Sequence, residues 1–238
     1  SCVGGLNWLQ CGTFPGLSFV LKILGPKVRR YGEKHIMLAK HAMRWLLGQL
    51  GIGLTFRGGF EPILQIFTDA SHAGCEDTRR SISGIIIKLG GNTVLWKAVW
   101  QTIVSHSSTE SELMALDKGA TLGQFIKHLS TELGCEIITP VHIFVDNQAS
   151  IDLSTNPVAP GRNLHMHARF FYVRDMVYDK EYALIHLDSE EQISDILVTY
   201  KGGPNFFHLH LRVVDCALIK FDNEGKPRWM DTLIGSQN

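Results

Sequence analysis

The order of apolar patterns between residues 62 and 200 restricts the fold more than any other feature of the chain. Three strand patterns come in succession, "ILQIFTD", "SISGIIIKLGG" and "TVLWKA", and the glycine-rich "LGGNT" joins the second to the third as a hairpin turn. The segment "SSTESELMALDKGATLGQFIKHLSTELG" then predicts a long helix, because its apolar residues recur every three or four positions: Leu113, Leu116, Ala120, Gly123, Ile126, Leu129 and Leu133.

The rest of this region alternates between the two kinds of element. "PVHIFVD" is a fourth strand pattern, "NQASIDLS" and "HMHARFFYVRDMVYD" are helical, "EYALIHL" is a fifth strand, and "SEEQISDILVTY" is a final helix. Such an order is typical of an α/β fold with a mixed five-stranded sheet flanked by helices.

Two further segments enclose this region. Residues 1–58 predict a small helical segment, in which residues 33–50 form an amphipathic helix with one apolar face made by Ile36, Ala39, Met43, Leu46 and Leu50. We therefore divide the chain into this segment, an α/β domain over residues 59–201, and a C-terminal tail over residues 202–238. The tail contains a possible hairpin in "ALIKFDNEGKPRWMDTL", and the sequence assigns it no role.

Composition excludes several classes of protein. No apolar run is long enough to predict a transmembrane helix, and no signal-peptide pattern is present. The five cysteines form no C-x-x-C pair, which favours free thiols and an intracellular protein of the cytoplasm or nucleus. Residues 1–60 hold eight of the 23 basic residues but one of the 23 acidic residues, which suits phosphate binding at one end and cation binding at the other.

Two apolar strand patterns both end on an aspartate, Asp69 and Asp146. Either residue alone is explained as a turn cap, the commoner use of Asp. Neighbouring strands would bring both carboxylates to one edge of the sheet, where they repel each other unless a cation lies between them. Carboxylates without His or Cys suit Mg²⁺ or Mn²⁺, and three or four of them can hold two ions for phosphodiester hydrolysis.

Two glutamates open the long helix, and their positions separate their roles. Ser107 and Glu110 fit a capping box, so Glu110 serves the helix N-terminus. Glu112 lies one turn before Leu116 and can point toward the sheet, which favours it as the ligand, although a capping role stays open for either residue. Asp195 lies in the first turns of the last predicted helix.

The ordered motifs "IFTDAS", "ESELMAL", "IFVDNQAS" and "EEQISDIL" resemble the four acid-bearing motifs of ribonuclease H. Their framing, with "RRSISGIIIKLGGNTVLWK", "VDNQASIDLSTNP" and "RNLHMHARFFYVRDMV", is closer still to the ribonuclease H region of copia-type LTR retrotransposon polyproteins. The N-terminal segment resembles the connection between the polymerase and ribonuclease H. The resemblance covers about residues 1–200.

This resemblance implies a ribonuclease H-like sheet and a metal-dependent endonuclease that cuts the RNA strand of RNA–DNA hybrids, leaving a 3′ hydroxyl and a 5′ phosphate. It implies two Mg²⁺ or Mn²⁺ ions, with Asp69, Glu112, Asp146 and Asp195 as catalytic metal ligands. An upstream polymerase region is the implied covalent partner. The expected substrate contacts are Ser71, Arg79, Arg80, Asn147, Gln148, His165 and Arg169.

Several positions depart from the family's pattern. His72 stands where the family usually has Trp, "LHMHAR" replaces "KHIDIR", Val198 begins the segment that replaces Thr-Lys-Pro, and Val99 and Trp100 replace a basic pair. These departures motivate an alternative, in which the chain is a weak or inactive ribonuclease H module retained for nucleic-acid or protein binding. A transposase or integrase is disfavoured because the glutamate comes second, and a polymerase because Tyr-x-Asp-Asp is absent.

Overall fold

The fold is built on one mixed sheet of five strands. The computed structural model describes residues 2–75, 77–155, 164–199, 203–215, 217–222 and 225–231. The sheet has the strand order β3-β2-β1-β4-β5. β2 is antiparallel to β1 and β3, whereas β1, β4 and β5 are parallel. The strands are β1 Ile63–Ser71, β2 Ile82–Leu89, β3 Asn92–Trp100, β4 Ile138–Val145 and β5 Tyr182–His186.

Helices cover both faces of this sheet, which confirms the predicted fold class. The helices are α1 Cys2–Gly12, α2 Ser18–Leu24, α3 Glu33–Leu47, α4 Ser108–Glu132, α5 Gln148–Thr155, α6 Leu164–Tyr178 and α7 Gly203–Val214. Alternation along β1 divides the core, because Leu64 and Ile66 pack with the helices α4 to α6 whereas Phe67 packs on the other face with α7.

Two glycines bring α4 unusually close to β1. A Cβ at Gly119 would lie 2.4 Å from Cγ2 of Thr68, and a Cβ at Gly123 would lie 2.2 Å from Cδ1 of Ile66. Only glycine fits at such a distance. The middle of α4 is therefore held against β1 at Ile66 and Thr68, next to Asp69.

The prediction of a regular helix over "SEEQISDILVTY" is wrong. Residues Ile193–Leu197 form a short 3-10 turn, and the next helix, α7, begins only at Gly203. The turn is buried on most sides and packs against β2, where a Cβ at Gly84 would lie 2.8 Å from the carbonyl oxygen of Ser194. Its β-branched residues also have a low helix propensity. Asp195 thus lies in a tight buried turn rather than on a regular helix.

The C-terminal segment packs on the sheet. β6 Ala217–Phe221 and β7 Pro227–Asp231 form an antiparallel hairpin within the segment where the sequence suggested one. The side chain of Gln65 donates to the carbonyl of Ile219 at 2.8 Å and accepts from its N–H at 3.1 Å. Trp229 stacks on Phe67 with ring centroids 5.4 Å apart. The hairpin and α7 therefore complete the core on this face, while the predicted domain boundaries stay predictions.

The predicted apolar face of α3 is wrong in part, because Leu46 packs against the N-terminal cluster but most of the larger predicted residues do not. Ile36, Met43 and Leu50 are exposed, Leu50 by 83%, and the buried residue of the helix is Ala42. Ala42 packs with Leu6, Leu17 and Leu21 of the N-terminal segment. Trp45 and Leu46 of α3 also pack against this cluster, so the buried face is centred on Ala42 rather than on Met43. No helix in the described ranges is long and apolar enough to cross a membrane.

Candidate metal centre

Three acids from three elements meet at one edge of the sheet. Phe67 pairs with Phe144 in the parallel β1–β4 ladder, so Asp69 and Asp146 both follow at the same end of their strands. One oxygen each of Asp69, Asp146 and Glu112 lies within 4.8 Å of the other two. Asp69 and Glu112 are buried, and Asp146 is half-buried.

The two glutamates at the start of α4 make different contacts, as the sequence predicts. The hydroxyl of Ser107 accepts from the N–H of Glu110 at 3.1 Å, and Glu110 accepts from the N–H of His106 at 2.6 Å. Glu112 instead points to the sheet, where its Oε1 accepts from the N–H of Ala70 at 3.1 Å. Its Oε2 is buried without a hydrogen-bond partner among the described residues.

Burial and mutual repulsion oppose ionisation of the clustered carboxyl groups. Burial raises the pKa of Asp69 well above its ordinary value, and the charges of Asp195 and Asp146 raise that pKa further. Burial also raises the pKa of Glu112 to about 10, with the charges of Asp69 and Asp146 adding to the effect. Carboxylates forced together in this way are stabilised by a cation between them.

The donor set fits a hard divalent cation. The three clustered groups offer carboxylate oxygens, the ligands that Mg²⁺ and Mn²⁺ prefer. The unpartnered buried oxygen of Glu112 provides an acceptor that no described protein group satisfies. Asp195 lies outside the tight cluster, yet close enough for its charge to raise the pKa of Asp69.

The loop after β5 contacts the cluster through residues that sequence reasoning missed. Ser189 donates to Oδ2 of Asp146 at 2.9 Å, and Gln192 donates to the carbonyl oxygens of Thr68 and Phe144. A ring nitrogen of His186 lies 3.1 Å from the main-chain oxygen of Asp146. The one signal in the sequence is that Ser189 and Gln192 shortly precede Asp195, and their contacts depend on tertiary structure.

Two of the expected substrate contacts are engaged within helix α5. Asn147 caps the helix, since its Oδ1 accepts from the N–H of Ser150 at 3.1 Å. Gln148 donates to Asp152 at 2.8 Å along the same helix. Both residues directly follow Asp146, so they are near the edge, but these contacts occupy part of their hydrogen-bonding capacity.

The remaining expected substrate contacts lie on β1, in the loop between β1 and β2, and on α6. Ser71 ends β1, and its hydroxyl is buried without a partner among the described residues. Arg79 and Arg80 are exposed in the loop between β1 and β2, so they are free to reach a ligand. The backbone of His165 and Arg169 belongs to α6, whereas their side chains lie outside the described residues.

His72, at the position where the copia-type pattern usually has Trp, is part of a local hydrogen-bond chain. Its Nδ1 lies 3.2 Å from the hydroxyl of Ser105, which lies 2.9 Å from the hydroxyl of Ser81. Ser81 in turn accepts from the N–H of Ala73 at 3.0 Å. These hydrogen bonds connect His72 and Ala73, which follow β1, with Ser81 and Ser105.

Comparison with known proteins identifies the relatives of the chain. The Pol polyprotein of transposon TNT 1-94 from Nicotiana tabacum is 30% identical over 197 residues, which are 83% of this chain and 15% of that polyprotein. The Pol polyprotein of transposon RE1 from Arabidopsis thaliana is 30% identical over 195 residues, 82% of this chain and 13% of the relative. The chain therefore spans only a small part of these relatives. No protein-family model matches it.

Among solved structures, LC11-RNase H1 in complex with an RNA/DNA hybrid is 16% identical, covers 57% of this chain and 93% of its own, and superposes with a TM-score of 0.42. A score of this size supports no inference by itself.

The fold is ribonuclease H-like. Its strands β1, β4 and β5 are parallel, β2 is antiparallel to β1, and an acidic cluster lies at one edge of the sheet. The homologues of the chain are Pol polyproteins of copia-type transposons, as the motifs predict.

Proposed function

We propose that the chain is a metal-dependent ribonuclease H that hydrolyses the RNA strand of RNA–DNA hybrids. The observation that carries the proposal is the buried convergence of Asp69, Glu112 and Asp146 within 4.8 Å. Asp195 beside them would complete a set able to hold two Mg²⁺ or Mn²⁺ ions. When bound, such ions activate a water for attack on the phosphodiester and stabilise the leaving oxygen.

The residues of the chain have separable roles in this proposal. Asp69 and Asp146 would hold the ions from the two strand ends, and Glu112 would add a ligand from α4. Ser189 keeps the Asp146 carboxylate oriented through its 2.9 Å hydrogen bond. Ser71, with its unpartnered hydroxyl, is placed to contact the 2′-hydroxyl or the phosphate of the RNA strand.

Arg79 and Arg80 extend the proposed contact surface along the hybrid. Their exposed position beside the end of β1 suits contacts with phosphate groups. Such contacts give affinity that depends on salt and little on sequence. We include Asn147, Gln148, His165 and Arg169 as further proposed contacts.

The polyprotein relatives suggest the setting of this activity. Since the chain spans 15% and 13% of two Pol polyproteins, we propose that it works next to an upstream polymerase region. Cys2, Cys11, Cys75 and Cys135 are free thiols, which suits the reducing cytoplasm or nucleus.

A cleavage assay on a hybrid with labelled RNA tests the proposal. We expect cleavage that requires Mg²⁺ or Mn²⁺, leaves a 3′ hydroxyl and a 5′ phosphate, and disappears in Asp146→Asn. The matched control is Asp152→Asn, because Asp152 is an exposed acid on α5 outside the cluster. A folded wild-type protein that cleaves no hybrid at any divalent metal concentration contradicts the proposal.

A second candidate function is a non-catalytic module that binds nucleic acid or protein. The observation in its favour is that His72, Asn147 and Gln148 are hydrogen-bonded within the protein. They are then less able to position a hybrid for cleavage, whereas the exposed Arg79 and Arg80 could still bind its phosphates. This candidate predicts hybrid affinity without turnover. Cleavage at ordinary enzyme rates excludes it.

A further inference from the structure

We infer that Gln192 is a positioning residue, whose side-chain amide joins the two strands that carry Asp69 and Asp146 and sets the separation of their carboxylates. The inference rests on the proposed function, because the separation matters when the carboxylates share metal ions. Nε2 of Gln192 donates to the carbonyl oxygen of Thr68 at 3.1 Å and to that of Phe144 at 3.2 Å. Gln192 is fully buried.

The two acceptors lie next to the proposed ligands. Thr68 directly precedes Asp69, and Phe144 lies two residues before Asp146. One amide therefore contacts both strands at the positions from which the carboxylates project. A shift of either strand would lengthen one of the two hydrogen bonds.

The amide is placed where backbone pairing stops. The last residues paired between β1 and β4 are Phe67 and Phe144, and β4 ends at Val145. Both Asp69 and Asp146 lie beyond that pair. Because their charges repel each other, the strand ends need a connection there, and Gln192 supplies one.

The chemistry of the amide fixes its orientation. An NH₂ group has two donors, which match the two carbonyl acceptors, whereas the flipped amide would place an oxygen against two oxygens. The amide oxygen of Gln192 is buried without a hydrogen-bond partner among the described residues. An unpartnered buried acceptor costs free energy, which the two hydrogen bonds donated to Thr68 and Phe144 offset.

Gln192 also reaches the segment of the fourth acid. Its main-chain carbonyl accepts from the N–H of Asp195 at 3.3 Å, at the start of the 3-10 turn. The residue thus contacts three of the four segments that carry proposed ligands. Sequence reasoning gave it no role, since nothing in the local pattern distinguishes it from a surface glutamine.

The test compares Gln192→Met with Gln65→Met. Both glutamines are fully buried, and both make two hydrogen bonds to main-chain groups. Gln65 bonds to Ile219 of the hairpin and lies four residues before Asp69, so it holds β1 without joining it to β4. Methionine preserves the approximate shape of either side chain and removes its hydrogen bonds.

The readouts are the unfolding temperature in metal-free buffer and the affinity for Mn²⁺ measured by calorimetry on the full chain. Both variants are expected to unfold several degrees below the wild type, because each loses two buried hydrogen bonds. Gln192→Met is expected to bind Mn²⁺ about tenfold or more weakly, as for other residues that orient metal ligands. Gln65→Met should retain wild-type affinity, and equal Mn²⁺ affinity in the two variants overturns the inference.

Two outcomes call for a further experiment: a Gln192→Met variant that does not fold, and a wild type that binds no Mn²⁺. If Gln192→Met does not fold, Gln192→Asn replaces it, because the shorter amide cannot reach both carbonyls, and wild-type affinity in that variant overturns the inference. If the wild type binds no Mn²⁺, the proposed metal-dependent function fails. The crystal structure of metal-free Gln192→Met then decides: carboxylates of Asp69 and Asp146 beyond the 4.8 Å seen here support positioning, and an unchanged separation overturns it.

Discussion

At the scale of single residues, Asp69 and Glu112 occupy positions that folding alone does not explain. Both carboxylates are buried, and burial is the main cause of their raised pKa values. A carboxyl group with a raised pKa in the folded state holds its proton more tightly than in the unfolded chain. The metal-free protein therefore loses stability as the pH rises through the range from 4.5 to about 10 set by Glu112.

The variant Asp69→Asn should stabilise the metal-free protein while abolishing its response to metal. Burial of Asp69 requires either protonation or an unfavourable buried charge, and the amide needs neither, which we expect to add about 1–2 kcal/mol to the free energy of unfolding. Urea unfolding with chelator and with excess Mg²⁺ measures both effects. The control Asp152→Asn should change neither, and a destabilised metal-free Asp69→Asn would contradict the account.

Metal binding should release protons. A bound cation favours ionised carboxylates, so the protons held by Asp69 and Glu112 leave as the ion enters. The affinity for Mn²⁺ should therefore increase with pH. Calorimetric titrations in buffers of different ionisation enthalpy measure the number of protons released, and an affinity independent of pH would argue against the raised pKa values.

His210 provides a second effect of pH, far from the acids in sequence. The ring is fully buried, its nitrogens have no partner among the described residues, and burial lowers its pKa to about 4. Since the unfolded chain takes up the proton first, this contribution to stability is lost as the pH falls from 6.5 to about 4. At pH 5 the loss relative to neutral pH is about 2 kcal/mol.

The variant His210→Phe tests this effect. The ring of His210 lies parallel to Phe206, with centroids 6.0 Å apart, and meets Trp45 edge-on, so a phenyl ring suits the site. We expect the variant to lose less stability than the wild type between neutral pH and about pH 5. Urea unfolding at the two pH values measures the difference, and identical losses would show that folding does not lower the pKa of His210.

At the scale of elements, the close approach of α4 to β1 holds Glu112 at the sheet edge. Gly119→Ala should destabilise the protein by roughly 1–3 kcal/mol, because the new methyl group would overlap Thr68. Gly5→Ala is the matched control, since Gly5 lies in α1 with nothing within 4 Å of an added Cβ. That change should stabilise by about 0.5–1 kcal/mol. Thermal unfolding of both variants separates the packing effect from helix propensity.

The sequence predicts elements well where one periodicity governs a whole segment. All five strands of the sheet and α4 follow from apolar spacing, and the ends of β1 and β4 placed Asp69 and Asp146 at one edge. The spacing misplaces part of the buried face of α3 and predicts a regular helix where residues 193–197 form a 3-10 turn. In both places the buried side is chosen by tertiary neighbours, Ala42 against the N-terminal cluster and the 3-10 turn against Gly84.

The candidate site, too, could be predicted from the sequence only in part. Asp69, Glu112 and Asp146 could be found from strand ends and helix position, and the motif order added Asp195. Ser189 and Gln192 could not, because their partners lie 43 residues away for Ser189 and as far as 124 for Gln192. Short polar side chains in a loop carry no signal of which distant carbonyl or carboxylate they contact.

At the scale of the whole molecule, the C-terminal segment is part of the core that supports the site. Lys88 of β2 is fully buried and donates to the carbonyls of Arg212 and Asp215 at the end of α7, the second at 3.1 Å. A cation at that end of a helix is favoured by the helix dipole. Arg212 also pairs with Glu191, which directly precedes Gln192.

Trp229→Ala should therefore destabilise the whole sheet. The ring of Trp229 stacks on Phe67, two residues before Asp69, and its removal leaves a gap that we expect to cost about 2–3 kcal/mol. Trp8→Ala is the matched control, since Trp8 is 77% exposed. Urea unfolding compares them, and equal stabilities of the two variants would show that the hairpin adds nothing to the fold.

The most direct test of the central claim is a calorimetric titration of the full chain with Mn²⁺, performed on the wild type and on Asp146→Asn. If Asp69, Glu112 and Asp146 form one cation site, the wild type binds Mn²⁺ with proton release and the variant shows little or no binding. Wild-type protein that is folded yet binds no Mn²⁺, or an Asp146→Asn variant that binds it equally well, would contradict the account.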